Sequence, residues 1–496
     1  MYFNSITYLV FVAAIFFFYW QIIPKKKNFQ NALLLLSGYI FYAFFDYRFC
    51  FLIFAMSVSD YLLALKISSL ESKIRRKTLM WLSILINTSI LLLFRSMGFF
   101  TEQFALFLSQ LGFEVSVQSL KLIVPVGLSF YTLKSLGYVI DVTKNRFQAE
   151  KSLINYLLFV SFFPQLTSGP IDRAANLLHQ INITRVFDYQ VVVAGFRLIL
   201  LGLFKKIVLA DNLAPIVNDL FGQPQSENGF LVVLAALLFA LQLYFDFSAY
   251  TDVAIGTSRL FGLFSMENFR KPYFSLSISQ FWSKWHISLS TWFRDYVFLP
   301  LAFWIGKRIR NQYFLGISSD LFIYSLAVMV TFALTGLWHG LGLNFLLWGL
   351  VFAFLLMAER STAKFFRNIR KTLRKNHLIK IYQLFSGLFV FLLVCLNWIF
   401  FRSGNVNQAF TMFNTLFTKP WHTGGEHLNG HSFNPGIVSA LLVILLAEIL
   451  SGKKNVEDKA GELKWPFRWG FYFLLLFFIL FFGAFDLEQG FIYSNF

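Results

Sequence analysis

The sequence predicts an all-α, polytopic integral membrane protein of about 11–13 transmembrane helices, with re-entrant or interfacial helices around a central cavity. Three observations carry that prediction. Of 496 residues, 57% are hydrophobic and only 14% charged, with 66 phenylalanines, whereas a soluble domain is about a quarter charged. Apolar stretches of span length recur along the chain. The basic residues alternate between loops, sparing every second one. A chain with a mean hydropathy of +0.62 cannot clothe a water-facing surface, which excludes a soluble globular enzyme and a disordered protein. Length alone suggests roughly three soluble domains. Composition replaces that with one membrane domain over residues 1–496, its core motifs at about 120–357.

The apolar stretches fall, in order, at roughly 6–23, 29–45, 49–65, 79–95, 120–140, 190–210, 229–248, 318–338, 341–357, 382–401, 436–451 and 469–485, which makes about twelve. The first carries no positive charge before it and no A-x-A site after it, and it ends at Lys25-Lys26-Lys27. It reads as a retained span rather than a cleaved signal.

Loop charge orients these spans. One side collects Lys25–Lys27, then Lys66, Lys73, Arg75, Arg76 and Lys77, then Lys144, Arg146 and Lys151, and later Lys307, Arg308 and Arg310, the run Arg360 to Lys380, and Lys453 to Arg468. On the other side, Ser96–Ser119 and Asp211–Asn228 hold no Lys or Arg, and Arg402–Pro435 holds only Arg402 and Lys419. The positive-inside rule makes the first side cytoplasmic. A multi-pass protein of the inner (plasma) membrane with both termini extracytoplasmic follows. The net charge of +18 is then cytoplasmic-face charge and does not call for nucleic acid. Arg95 and Lys205-Lys206 fit this scheme poorly, because they fall near outer ends of spans; they snorkel, or those spans are misplaced. The two cysteines, Cys50 and Cys395, lie in apolar runs and read as packing residues.

Two regions do not behave as spans. Asn155–Arg173 ends in Phe163-Pro164-Gln165-Leu166-Thr167-Ser168-Gly169-Pro170, where two prolines and a glycine break a helix. Tyr250–Phe298 mixes aromatics with charges and leads to Pro300. Broken backbone at membrane depth survives only when buried in protein or lining a wet cavity, so both read as cavity-lining segments. No internal repeat is present, which removes the inverted-repeat signature of many transporters.

Intramembrane polar groups are costly, so each is a functional candidate. Of seven histidines, His377 lies in a basic loop and His179 in a polar stretch. His422, His427 and His431 share one outer loop and read as solvated, with weak metal binding as the alternative. His339 sits in Thr335-Gly336-Leu337-Trp338-His339-Gly340 between two apolar runs. On position alone, a general base and a core histidine bonded to a carbonyl are equally consistent. His286, in Phe281-Trp282-Ser283-Lys284-Trp285-His286-Ile287-Ser288, reads on position alone as an aromatic-belt residue. Asp246 and Asp252 at the end of a span, and Arg294 beside Asp295, read as buried ion pairs or caps that fix the cavity wall. The sequence has no P-loop, no H-E-x-x-H and no G-x-S-x-G elbow, which removes support for phosphate-driven transport and serine-hydrolase chemistry.

These blocks, taken in order, resemble the membrane-bound O-acyltransferase superfamily, in particular its bacterial alginate O-acetylase type. The resemblance runs through Met1–Ser5 with Gly38-Tyr39-Ile40-Phe41-Tyr42-Ala43, then Pro125–Thr132 followed by Gly137–Val142, then Phe163-Pro164-Gln165 through Gly169-Pro170-Ile171. Its most specific part is Phe281-Trp282 through Trp285-His286-Ile287-Ser288-Leu289-Ser290-Thr291-Trp292-Phe293-Arg294-Asp295-Tyr296, and it ends in Leu337-Trp338-His339-Gly340. It implies acyl transfer inside the membrane, with His339 as the base, His286 as a second polar group positioning donor or nucleophile, and Asp295, Arg294, Asp246 and Trp338 in support. It also implies no permanently bound cofactor and an acyl thioester co-substrate, acetyl-CoA or an acyl carrier. Its implied partners are an envelope glycan or a separate extracytoplasmic acyltransferase protein. One departure stands out: the short Pro-Leu-Gly-Gly segment expected after Arg-Asp-Tyr is replaced by Pro300-Leu301-Ala302-Phe303-Trp304 running on to Lys307-Arg308-Ile309-Arg310.

A cavity open to both faces would let an acyl group cross from a cytoplasmic thioester to an outer hydroxyl. Lys284 or Lys307–Arg310 would attract donor phosphates, although positive-inside charge accounts for most of that rim. Two alternatives remain. One is D-alanyl transfer to teichoic acid on the same fold; the other is a non-enzymatic transporter or flippase.

Overall fold

The computed structural model describes residues 1–110, 125–222, 228–309, 311–314, 316–421, 434–485 and 490–492, with the side chains of 97–108 and 110 not described. The described chain is all-α apart from one hairpin. Its helices form two compact units, Met1–Phe196 with Val253–Met266 and Arg197–Asp252 with Glu267–Phe496. His422, His427 and His431 lie outside the described residues.

The first unit contains α1 (Ile6–Phe17), α2 (Lys27–Asp46), α3 (Arg48–Ser69), α4 (Lys73–Gln110), α5 (Leu128–Thr143), α6 (Leu153–Ser161), α7 (Phe163–Leu166), α8 (Ala174–Ile181) and the start of α9 (Tyr189–Leu203). Small polar residues set helix starts: Ser5 accepts from the Tyr8 N–H, and Ser152 from the Asn155 N–H at 3.3 Å, satisfying donors that have no partner within the helix. The expected break after Asn155 is present. The helix stops at Phe162, Pro164 is tolerated in the first turn of α7, and every residue from Asn155 to Asp172 is buried, as irregular backbone at this depth requires.

Two polar knots fasten this unit. Asp60 on α3 accepts from Ser83 (2.6 Å) and Asn87 (3.0 Å) on α4 and from Ser135 (2.5 Å) on α5. Gln165 Oε1 accepts a hydrogen bond from Lys134 (2.6 Å), and its Nε2 donates to Asp172 (2.5 Å) and Ser265 (2.6 Å). Asp172 in turn accepts from the Met266 N–H and from Asn176, both at 2.9 Å. Gly127 has φ 75°, and a Cβ there would collide with the Leu166 carbonyl oxygen. The Pro125–Thr132 and Phe163–Ile171 blocks therefore lock onto one another, and glycine is the only residue that fits between them.

The second unit takes the rest of α9 and a π-helical stretch Phe204–Ala210, then α10 (Asp211–Gly222), most of α11 (Gly229–Leu260), α12 (Ile278–Trp282), α13 (Ile287–Phe293) and α14 (Leu299–Gly306). A hairpin of β1 (Tyr313–Phe314) and β2 (Ile317–Ser318) precedes α15 (Ser319–His339). Beyond it lie α16 (Leu343–Lys375), α17 (Ile379–Arg402), α18 (Val406–Thr418), α19 (Pro435–Leu450), α20 (Val456–Glu462) and α21 (Trp465–Phe482). The segment after Pro300, where the sequence departs from the family pattern, becomes α14 and the hairpin.

Among the described residues, seven helices are long and apolar enough to cross a membrane: α3, α4 over Lys73–Ser96, α11, α15, α16, α17 and α21. Two shorter apolar helices, Ile6–Ile22 and Pro435–Leu450, accompany them. The other expected stretches, near 29–45, 120–140 and 190–210, fall on α2, α5 and α9 with its π-helical continuation, although residues 120–124 lie outside the described residues.

Three readings of charge and boundary need correction. The expected cavity segment Tyr250–Phe298 begins inside a helix, because α11 runs on to Leu260; Asp246 and Asp252 therefore sit along that helix and not at its end. Lys205 and Lys206 do not snorkel, and the 190–210 stretch that holds them is not among the helices long and apolar enough to cross a membrane. Both are buried, Lys205 pairing with Asp252 at 2.8 Å and Lys206 with Asp211 and Asp246 at 2.7 Å each. Third, Arg294 and Asp295 pair at 2.8 Å near the surface, with side chains 58% and 29% exposed, where an ion pair contributes about 0–1 kcal/mol.

Removing the cation of the buried triad leaves two adjacent carboxylates in a dry site. Lys206→Met should destabilise the protein by about 3–5 kcal/mol, read as a lowered melting temperature in detergent, whereas Arg294→Met should change it by less than about 1 kcal/mol.

Candidate active site

The two candidate histidines come together on one indole. His339 is the last residue of α15, and the extended backbone of Gly340 ends the helix there. The helix can bring His339 inward because α15 and α16 approach closely. A Cβ at Gly336 would collide with the Phe345 carbonyl oxygen, and one at Gly349 with that of Phe332. The glycine beside His339 thus admits another helix. His286 starts α13 with φ 42°, a left-handed conformation costly for a non-glycine residue, seen where surrounding structure enforces it.

Both imidazoles are buried, His286 at 1% and His339 at 3% exposure. The Trp338 ring lies 4.8 Å from that of His339 and 6.2 Å from that of His286, centroid to centroid. Trp348 and Phe401 meet His339 edge-on at 5.0 and 5.1 Å. Phe247 meets His286 in the same manner at 4.6 Å. His286 is therefore a core residue and not part of an aromatic belt.

The hydrogen bonds around His286 fix its tautomer. Asn268 Oδ1 accepts from the Ser288 backbone N–H (3.2 Å) and from Ser288 Oγ (2.9 Å), which settles the orientation of the amide. The same oxygen lies 3.0 Å from His286 Nδ1. An oxygen cannot donate, so Nδ1 carries the hydrogen and Nε2 the lone pair. Burial pulls the imidazole down to about 3, so the ring is neutral across the physiological range.

Two cavities lie within this unit. One, of about 460 Å³, is lined by residues including Asp211, Gln242, Asp246, Phe345, Phe401 and Arg402. The other, of about 210 Å³, is lined mainly by apolar side chains, with Trp282, Thr331, Thr335 and Arg294 among them. His339 stands in a row of aromatic rings that runs from Phe401 through His339 and Trp348 to Trp282, the last step being 5.9 Å. Of the supporting residues, Trp338 joins the histidines, Asp246 belongs to the larger cavity, and Arg294 lines the smaller one with Asp295 paired to it.

Two residues of the site escaped sequence reasoning. Asn268 had no signal, lying in an irregular stretch with no periodicity. Asn344 donates to the Phe400 and Ser403 carbonyl oxygens at 3.3 and 2.9 Å, which places Phe401 and Arg402. Its only cue was its closeness to Trp338-His339-Gly340.

Comparison with known proteins gives a family and several relatives. The family model described as MBOAT, membrane-bound O-acyltransferase family, matches residues 143–400, a stretch containing both histidines. The "Probable alginate O-acetylase AlgI" of Azotobacter vinelandii is 32% identical over 420 residues, covering 84% of this chain and 78% of its own length. The peptidoglycan O-acetyltransferase of Helicobacter pylori is 30% identical, covering 79% of this chain and 75% of its own length. A teichoic acid D-alanyltransferase of Bacillus subtilis is 31% identical over 47% of this chain and 58% of its own length.

The amide at 268 offers a direct check on the His286 geometry. Asn268→Ala removes the acceptor that holds the Nδ1–H and should lower acyl transfer by about 100-fold, measured as ester formed by mass spectrometry. Asn268→Asp, which keeps an oxygen there, should retain more of it.

Proposed function

The chain belongs to the membrane-bound O-acyltransferase family, and from that membership we propose that it takes an acyl group, acetyl in the first instance, from a cytoplasmic thioester and passes it across the membrane toward hydroxyls of an envelope polysaccharide. That the chain is an acyltransferase and a multi-pass membrane protein follows from the family and its apolar helices. Donor, direction, acceptor and residue roles are the proposal. The observation that supports it best is the pair of buried imidazoles on Trp338.

In this reading His339 is the base. Its ring takes the proton of the acceptor hydroxyl as the oxygen attacks the thioester carbonyl carbon. A C–O bond forms, the carbonyl electrons move onto oxygen, and their return breaks the C–S bond. The imidazolium returns its proton to the leaving thiolate, so an ester and a free thiol result and the histidine is regenerated. His286, neutral and with its lone pair directed by Asn268, positions donor or nucleophile. No permanently bound cofactor enters the scheme; acetyl-CoA or an acyl carrier is a co-substrate. The acceptor is an envelope glycan or an extracytoplasmic acyltransferase partner, with both chain termini outside an inner (plasma) membrane.

D-alanyl transfer to teichoic acid is the second reading, favoured by the D-alanyltransferase relative. The acetylases match over far more of the chain, which is why acetyl comes first. A transporter without covalent chemistry does not fit membership in an acyltransferase family.

His339→Ala should fold, since the helix it ends is held by its neighbours, and should lower transfer by at least about 100-fold. Mass analysis of envelope polymers from cells with and without the active protein decides the chemistry. Loss of acetyl esters supports the first reading and loss of alanyl esters the second. Unchanged esters in both comparisons would overturn both.

A further inference from the structure

The C-terminal half of α16 takes no part in the chemistry above. The helix has 33 residues, which makes it about 50 Å long, whereas a bilayer's hydrocarbon core is about 30 Å thick. The surplus is strongly basic. From Ala358 to Lys375 it carries Arg360, Lys364, Arg367, Arg370, Lys371, Arg374 and Lys375 against one carboxylate, Glu359. Glu359 is taken up by the Ser279 backbone N–H and hydroxyl of α12. Among the described residues, no carboxylate pairs with any of the seven cations.

Charge and apolarity are sorted onto opposite faces. Arg360, Lys364, Arg367, Lys371 and Arg374 follow one another at alternating steps of four and three, so they form one stripe along the helix. With Arg370 and Lys375 they occupy an arc of about 140° at 3.6 residues per turn. Phe365, Phe366, Ile369 and Leu373 occupy an arc of about 100° on the opposite face. The two phenylalanines of that face are 64% and 42% exposed. Water is a poor medium for such a face.

Two observations hold this segment near the bilayer surface. The Arg360 guanidinium lies 5.1 Å from the ring centre of Tyr324 on α15, a cation–π contact on a residue type that gathers at membrane interfaces. At the other end, α17 starts after only residues 376–378. Ile381, Leu384 and Phe385 on its first turns are exposed, as lipid-facing side chains of a spanning helix are. The chain is thus back among apolar surroundings six residues beyond Lys375. Both ends of the basic stretch stay within reach of the headgroups, given the length of Lys and Arg side chains.

We propose that Arg360–Lys375 is a docking surface for anionic lipid headgroups, with its Phe365, Phe366, Ile369 and Leu373 face seated at the acyl boundary and its basic stripe among the lipid phosphates. The sorted faces select this occupant. An acidic soluble protein would satisfy the stripe and leave the phenylalanines in water, whereas an anionic bilayer surface satisfies both at once. Positive-inside charge explains why the residues are basic, but it does not ask for a stripe or for an opposed apolar face.

Backbone hydrogen exchange tests this on the full-length protein. Nanodiscs of phosphatidylcholine are compared with nanodiscs of equal parts phosphatidylcholine and phosphatidylglycerol, and peptides covering 361–375 are read by mass spectrometry. Exchange should be at least about tenfold slower on the anionic discs, and the difference should shrink as salt is raised. Lys364→Gln, Arg367→Gln, Lys371→Gln and Arg374→Gln combined should erase the difference. All four side chains are exposed, and unchanged exchange in α15 checks that this variant is folded. Phe365→Gln with Phe366→Gln should also lose protection on anionic discs. Equal exchange on the two lipids overturns the proposal, as does a lipid difference that survives the four glutamines or is untouched by loss of the two rings. Protection by soluble polyglutamate on phosphatidylcholine discs, with none from phosphatidylglycerol, overturns it in favour of an acidic protein.

Discussion

A chain embedded in hydrocarbon has no solvent to fall back on, so each polar group must find its partner within the protein. That single constraint organises this structure. Where water would have dissolved a stray Asp or Lys, here they are gathered into knots. Asp60 collects three donors from two helices. Gln165 ties a broken segment to α5 and to the loop after α11. Lys206 holds two carboxylates. Each knot fixes the register of helices whose outer surfaces, being uniformly apolar, would specify little. Such pairs add less to stability than their count suggests, since desolvation offsets most of the attraction; their effect is on which arrangement is reached.

The sequence makes some of this legible and hides the rest, for a physical reason. Apolar runs and broken helices are local properties, so the spans and the buried segment from Asn155 could be read directly. His339 stood out because an imidazole between two apolar runs is expensive. Partnership is not local. Lys205-Lys206 looked misplaced until Asp246 and Asp252, some forty residues on, were found against them. Arg294 and Asp295, adjacent in sequence, looked like a buried pair and proved to be near the surface. Asn268 is eighteen residues from His286 in a stretch with no helical period, and nothing in its surroundings marks it. Position told which groups are costly; only the fold told which were compensated.

The same distinction separates structure from function among the polar residues. Asp60 has both oxygens engaged, and Asn268 spends its oxygen on His286 and Ser288. These groups are complete, and a complete network rigidifies without inviting a ligand. Gln242 and Asp211 are equally buried, yet each keeps one acceptor without a donor among the described residues, and both face the same cavity as Arg402. A stability argument alone would predict their replacement by apolar residues of similar size, because the unmet acceptor costs free energy and contributes nothing to packing. Their presence is explained if the missing donors arrive with whatever the cavity binds, since a cost borne by the empty protein is then recovered as selectivity.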